Sequence, residues 1–203
     1  MASKDCFHFT KLNRAYQIEK KGLEPRIEGN SKAINDNDPK ISFSDGKIAT
    51  AGLFANFYDV YMAMNEGKRN PTDKKVISSK DIEDYLGEGI YLMFDGTNIE
   101  NTGGNKGHIN PFDAATTKSI SPEALNVCVL RDNSGNIHYS QYDYIKYIIA
   151  NLTKEDYSQL QQMDEDNIIL KFIEEYKKDY KNELEHFSQD KYTPELMPLA
   201  NFC

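Results

Sequence analysis

Residues 6–25 read CFHFTKLNRAYQIEKKGLEP. Alternation along the first five predicts a short strand, with Phe7 and Phe9 on one side and His8 on the other. Leu12, Ala15, Tyr16 and Ile18 then recur at close to 3.6-residue spacing, which predicts a helix, with Asn13 as its N-cap. The exit is abrupt. Gly22 suits a left-handed position after the last turn, Leu23 can fold back on that turn, and Pro25 cannot continue the helix. The stretch therefore reads as a strand carrying one imidazole, a helix, and a tight turn out.

An aromatic-His-aromatic-Thr strand, a helix ending Ile-x-x-x-Gly-Leu and a Pro just beyond resemble the start of the ADP-ribosyltransferase-like fold. Within that group the match is to the class whose first strand carries His rather than Arg, which includes the poly-ADP-ribosyl enzymes and the RNA 2′-phosphotransferases. The resemblance implies an α+β fold with a split mixed or antiparallel β-sheet, flanking helices and NAD as substrate. It implies that His8 holds the ribose on the nicotinamide side, with backbone groups at Phe9 and Thr10 beside the carboxamide. Read without it, His8 is an ordinary strand histidine, half buried and hydrogen-bonded.

Two later stretches extend the same pattern. Residues 40–46, KISFSDG, alternate apolar with small polar residues and end in a turn, which predicts a second strand. The resemblance places nicotinamide-flanking residues here: Phe43 stands where the His-type class prefers Tyr, and Ser42 and Ser44 bracket it. Ser44 bonding within its own turn is the alternative. Residues 119–125, SISPEAL, match the bend that in this fold follows the strand bearing the third catalytic position. Counting back from Pro122, that position falls within residues 113–117, where no Glu stands and Asp113 is the only acid. The remaining core strands are predicted at 90–94, a continuous apolar run between Gly89 and Asp95, and at 126–131.

The rest of the chain frames this core. A length of 203 residues with 39% hydrophobic and 11% aromatic residues suits one sizeable domain with an appendage. We place an ADP-ribosyltransferase-like domain at 1–152 and a helical C-terminal extension at 153–203. Helical stripes are expected over 52–66, after Ser78 or Ser79, over 144–152, after Thr153, and as one run over 165–187. Residues 192–203 read as a tail on the surface. A hairpin at 133–136 should return the chain through Ile137–His138. The net charge of −8 argues against a general nucleic-acid grip through basic surface. No apolar run approaches the ~20 residues needed to span a bilayer, and the first residues lack an apolar signal core, so a cytoplasmic protein is expected.

Other chemistries are weaker. Residues 103–107, GGNKG, are not followed by Gly-Lys-Ser/Thr, so they are no Walker loop. His108 and Asp113 have no metal-ligand partners at suitable spacing, and no metal site is assigned. Cys6, Cys128 and Cys203 have neither metal-ligand spacing nor an even count; the first two read as buried thiols. A Cys6–His8 nucleophile pair has nothing to orient the imidazole. Arg26 reads as a surface residue that could reach a phosphate. Two functional readings follow. One is an NAD-dependent ADP-ribosyltransferase with an unknown acceptor (protein, nucleic acid or small molecule), using His8, Phe9, Thr10, Ser42, Phe43, Ser44 and Asp113. The other is a non-catalytic nucleotide- or partner-binding module that lacks the Glu.

Overall fold

The apolar run Gly89–Phe94 is buried almost throughout, and a strand hidden on both faces must lie inside a sheet. The computed structural model describes residues 5–25, 39–46, 89–100, 113–163 and 168–203. The expected helices over 52–66 and after Ser78, Arg26, residues 103–107 and His108 lie outside these, as do the side chains of Ser44 and Asp113. The described strands are β1 (Asp5–Lys11), β2 (Ile41–Gly46), β3 (Gly89–Phe94), β4 (Asp113–Thr116), β5 (Asn126–Asp132), β6 (Ile137–His138) and β7 (Tyr192–Pro198). They form one sheet of order β4-β2-β1-β3-β5-β6, with β7 also on β5, and every described pairing is antiparallel. All four strands expected from the sequence are present in this sheet.

Two layers cover the sheet. On one face Cys6, Phe43, Leu92, Phe94 and Val127 pack with Ala15 and Ile18 of α1 (Leu12–Lys21) and with Leu199. On the other, Phe7, Tyr91 and Cys128 meet Tyr142, Ile145 and Ile149 of α2 (Gln141–Ala150), Leu160 of α3 (Lys154–Met163) and Ile173 of α4 (Ile168–Asp179). Full burial of an aliphatic side chain such as Ile90 or Leu92 contributes about 1.5–3 kcal/mol, so these two layers are the main source of stability. Thr153 starts α3 as expected: its hydroxyl accepts from the Asp156 N–H at 3.1 Å while the Asp156 carboxylate accepts from Thr153.

Four local expectations are corrected. Helix α1 begins directly after β1 with Lys11 at the N-cap position and no side-chain cap, so Asn13 falls within the first turn. Gly22 has the positive φ expected of it, 78°, but its ψ of −173° lies outside the left-handed helical region. The run over 165–187 is not one helix; it breaks at Tyr180 (φ −116°, ψ 27°) into α4, α5 (Lys181–Leu184) and a 3₁₀ turn, which turns Leu184 and Phe187 inward. The supposed surface tail is a strand. β7 pairs with β5 along all seven residues before a last short helix, α6 (Leu199–Phe202). Pro194 and Pro198 disguise it, but an outer strand tolerates proline because its N–H can face away from the ladder.

Candidate functional site

The sheet order places the three strands nominated from the sequence side by side, as β4-β2-β1. β1 holds six registered pairs with β3, from Cys6–Phe94 to Lys11–Gly89. With β2 it holds only three, ending at Phe7–Ser44. The ladder ends at that pair, and His8 is the next residue on β1. Its ring Nδ1 lies 2.8 Å from the Ser42 carbonyl. A carbonyl can only accept, so Nδ1 carries a proton and donates it to Ser42. Where main-chain pairing stops, the imidazole bridges the two strands.

Face and register sort the other nominated residues. Cys6, His8 and Thr10 alternate onto the α1 side of the sheet, and Phe43 belongs to the cluster on that side. Phe43 is buried and meets Phe94 edge-on, ring centroids 5.5 Å apart. Thr10 is buried as well. Phe9 and Ser42 are on the opposite side. Phe9 is half-buried with its ring edge-on to Tyr91 at 6.4 Å, and Ser42 is exposed. On β4 the partners are Asp113 for Ser44, Ala114 for Phe43, Ala115 for Ser42 and Thr116 for Ile41. The β4 residue paired with Phe43, and so in line with His8, is therefore Ala114, and Asp113 holds the adjacent register position.

The Gly-Leu exit and the Ile-Ser-Pro-Glu bend, far apart in sequence, meet in space. Leu23 and Ile120 exchange main-chain hydrogen bonds of 2.9 Å in both directions. The bend continues as a 3₁₀ turn over Pro122–Ala124 and enters β5 at Asn126. One end of α1 is thereby tied to the connection between β4 and β5.

Three polar clusters outside these strands were not anticipated as units. At the β5–β6 turn the Asp132 carboxylate accepts from the Asn136 side chain, from the His138 ring at 3.1 Å, and from the Asn136 and Ser134 N–H groups. These donors, the Asn136 side chain foremost, hold its carboxyl far below the usual carboxylate range. Lys146, mostly buried on α2, reaches Asp143 at 3.1 Å and Glu183 at 3.4 Å and lies over the rings of Tyr142 and Phe187. Under the helices, the Gln141 amide donates to the Tyr91 hydroxyl at 2.6 Å. Sequence periodicity marks these residues only as members of a helix or turn. Their partners are fixed by tertiary packing.

Cys6 and Cys128 are reduced and buried, and Cys203 is exposed. Burial pushes the Cys128 thiol up to about 12, so it stays protonated at neutral pH. Among the described residues no group of three or more His, Cys, Asp or Glu side chains is gathered as a metal site, and no helix is long and apolar enough to cross a membrane. Comparison with protein-family models, with curated proteins and with solved structures returned no match.

Proposed function

We propose that the β1–β2 breach is an NAD site and that the protein is an NAD-dependent ADP-ribosyltransferase acting on an unidentified acceptor. The observation that carries this reading is the adjacency of three separately nominated stretches, with the His8 ring bridging to β2 where the ladder ends. An imidazole can both give and accept hydrogen bonds, which suits a ribose diol. In the transfer the bond from ribose C1′ to the nicotinamide nitrogen breaks, both electrons leaving with nicotinamide. A nucleophilic oxygen or nitrogen of the acceptor bonds to C1′ and loses its proton. Protein groups assist by holding the ribose and favouring positive charge at C1′.

A second reading, a nucleotide-binding module without transfer, draws on Ala114. In line with His8 and Phe43, β4 presents a methyl group and not a carboxylate.

Titration calorimetry with NAD on wild type and His8→Ala tests the site, and nicotinamide release separates the two readings. Losing one or two hydrogen bonds should weaken binding by about 1–3 kcal/mol while the melt changes little. No binding by wild type at millimolar NAD refutes the transferase reading and leaves the module to another ligand. Binding without nicotinamide release, over a panel of protein, nucleic-acid and small-molecule acceptors, supports the module.

A further inference from the structure

β5 meets β3 at Asn126 and Val127 and β6 at Leu130 and Arg131, and all four residues also pair with β7. A strand has two edges, so β3 and β6 share one edge of β5 and β7 takes the other. Among the described residues no strand pairs with the far side of β7. The Leu199 N–H donates to the Leu125 carbonyl at 3.0 Å, which fixes the phase of this ladder. The Asp132 N–H agrees with it, donating on the opposite edge to the Asn136 carbonyl. Main-chain groups in an antiparallel pair point alternately toward and away from the partner. Thr193, Glu195 and Met197 therefore bond to β5, and Tyr192, Pro194, Leu196 and Pro198 turn their main-chain groups outward. Proline has no N–H, so the outer edge has donors only at Tyr192 and Leu196, about 13 Å apart. Thr193, Pro194, Leu196 and Pro198 are all exposed, Leu196 to 47%.

We infer that Pro194 and Pro198 keep β7 from pairing with β7 of a second copy of this chain. An exposed edge of this length is a template for another strand, and the same edge on a second copy is self-complementary across a two-fold axis. In an antiparallel pair centred on Leu196, Pro194 of each copy stands opposite Pro198 of the other. The rung at Leu196 forms both of its bonds, and the rungs on either side of it form none. Neither proline costs β7 a bond to β5, because both stand at outward positions. The seat on β5 is held as well by the Arg131 guanidinium, which donates to the Glu195 carboxylate at 2.9 and 3.0 Å. The edge is thus closed to a second copy without loss to the sheet, whatever the His8 strand binds.

The test is sedimentation velocity over a range of concentrations, with thermal melts, on wild type, the double variant Pro194→Thr/Pro198→Thr, and the same double variant carrying Leu196→Lys. The double variant regains two donors in each copy and should self-associate on the order of a thousandfold more tightly than wild type. Leu196→Lys sets like charges opposite each other at the centre of the pair and should return it to wild-type behaviour. A folded double variant that associates no more than wild type overturns the inference, and so does association that survives Leu196→Lys undiminished. Should the double variant lose its cooperative melt, Pro194→Thr and Pro198→Thr singly carry the same comparison. Hydrogen exchange on dilute wild type gives an independent reading: the Thr193, Glu195 and Met197 N–H groups should be protected and that of Leu196 fast. A protected Leu196 N–H would show the edge already covered, which also overturns the inference.

Discussion

Gly22→Ala isolates the contact that joins the exit of α1 to the bend before β5. Gly22 sits at φ 78°, ψ −173°, and its N–H donates to the Ile18 carbonyl at 2.7 Å. A Cβ at this position would lie 2.2 Å from the Ile120 carbonyl oxygen and 3.2 Å from Pro122 Cδ. The obstruction is main chain, so no side-chain rotation relieves it. Alanine in this region of backbone space costs about 1–3 kcal/mol. Moving Ile120 away lengthens both 2.9 Å hydrogen bonds to Leu23, at about 0.5–1.5 kcal/mol each. Together these terms centre near ~4 kcal/mol, which for a chain of this size lowers the melting temperature by roughly 8–16 °C. Gly135→Ala is the matched control: φ is 87° there, but no atom lies within 4 Å of an added Cβ. It should carry the conformational cost alone, about 1 kcal/mol or roughly 2–4 °C. Scanning calorimetry on the two variants and wild type decides the matter. Equal melting temperatures for the two variants would show that the approach of Gly22 to Ile120 contributes nothing.

Two further outcomes follow from the described groups. In native protein Cys203 should react with a thiol reagent at once, and Cys6 and Cys128 only after denaturant is added; fast labelling of all three would contradict the burial of the first two. Because Asp132 titrates lower folded than unfolded, its contribution to stability is complete above the unfolded value near ~4 and is lost as pH falls toward the folded value. Asp132→Asn should therefore flatten part of the acid limb of the melting-temperature profile, and an unchanged limb would remove Asp132 from that role.

How much was legible in the sequence depends on where the signal resides. β3 announced itself because GIYLMF is apolar without interruption, and α1 because its stripe is bounded by Gly22 and Pro25. β7 did not, since YTPELMP has two prolines and weak alternation; only its pairing with β5 makes it a strand. The break at Tyr180 is equally silent. No glycine or proline marks it, and what favours it is the burial of Leu184 and Phe187 after the turn. The nominated strands were legible one by one. The enclosure of Phe43 was not, because the central apolar residue of SFS looks open until packing covers it.

The third position shows most clearly why the sequence alone could not decide between enzyme and binding module. Counting back from Pro122 defined a window of five residues, and four of them form β4. Within a strand, neighbours face opposite sides, so a shift of one residue exchanges Asp113 for Ala114 in the row of His8 and Phe43. Nothing in DAAT fixes that parity, because two adjacent alanines suit either face. The parity is set by the Ser44–Asp113 and Phe43–Ala114 pairs, and the chain leaving β4 is held by the Leu23–Ile120 bridge. The Gly22 contact thereby also anchors the segment whose register sets whether an acid or a methyl group stands in line with the imidazole.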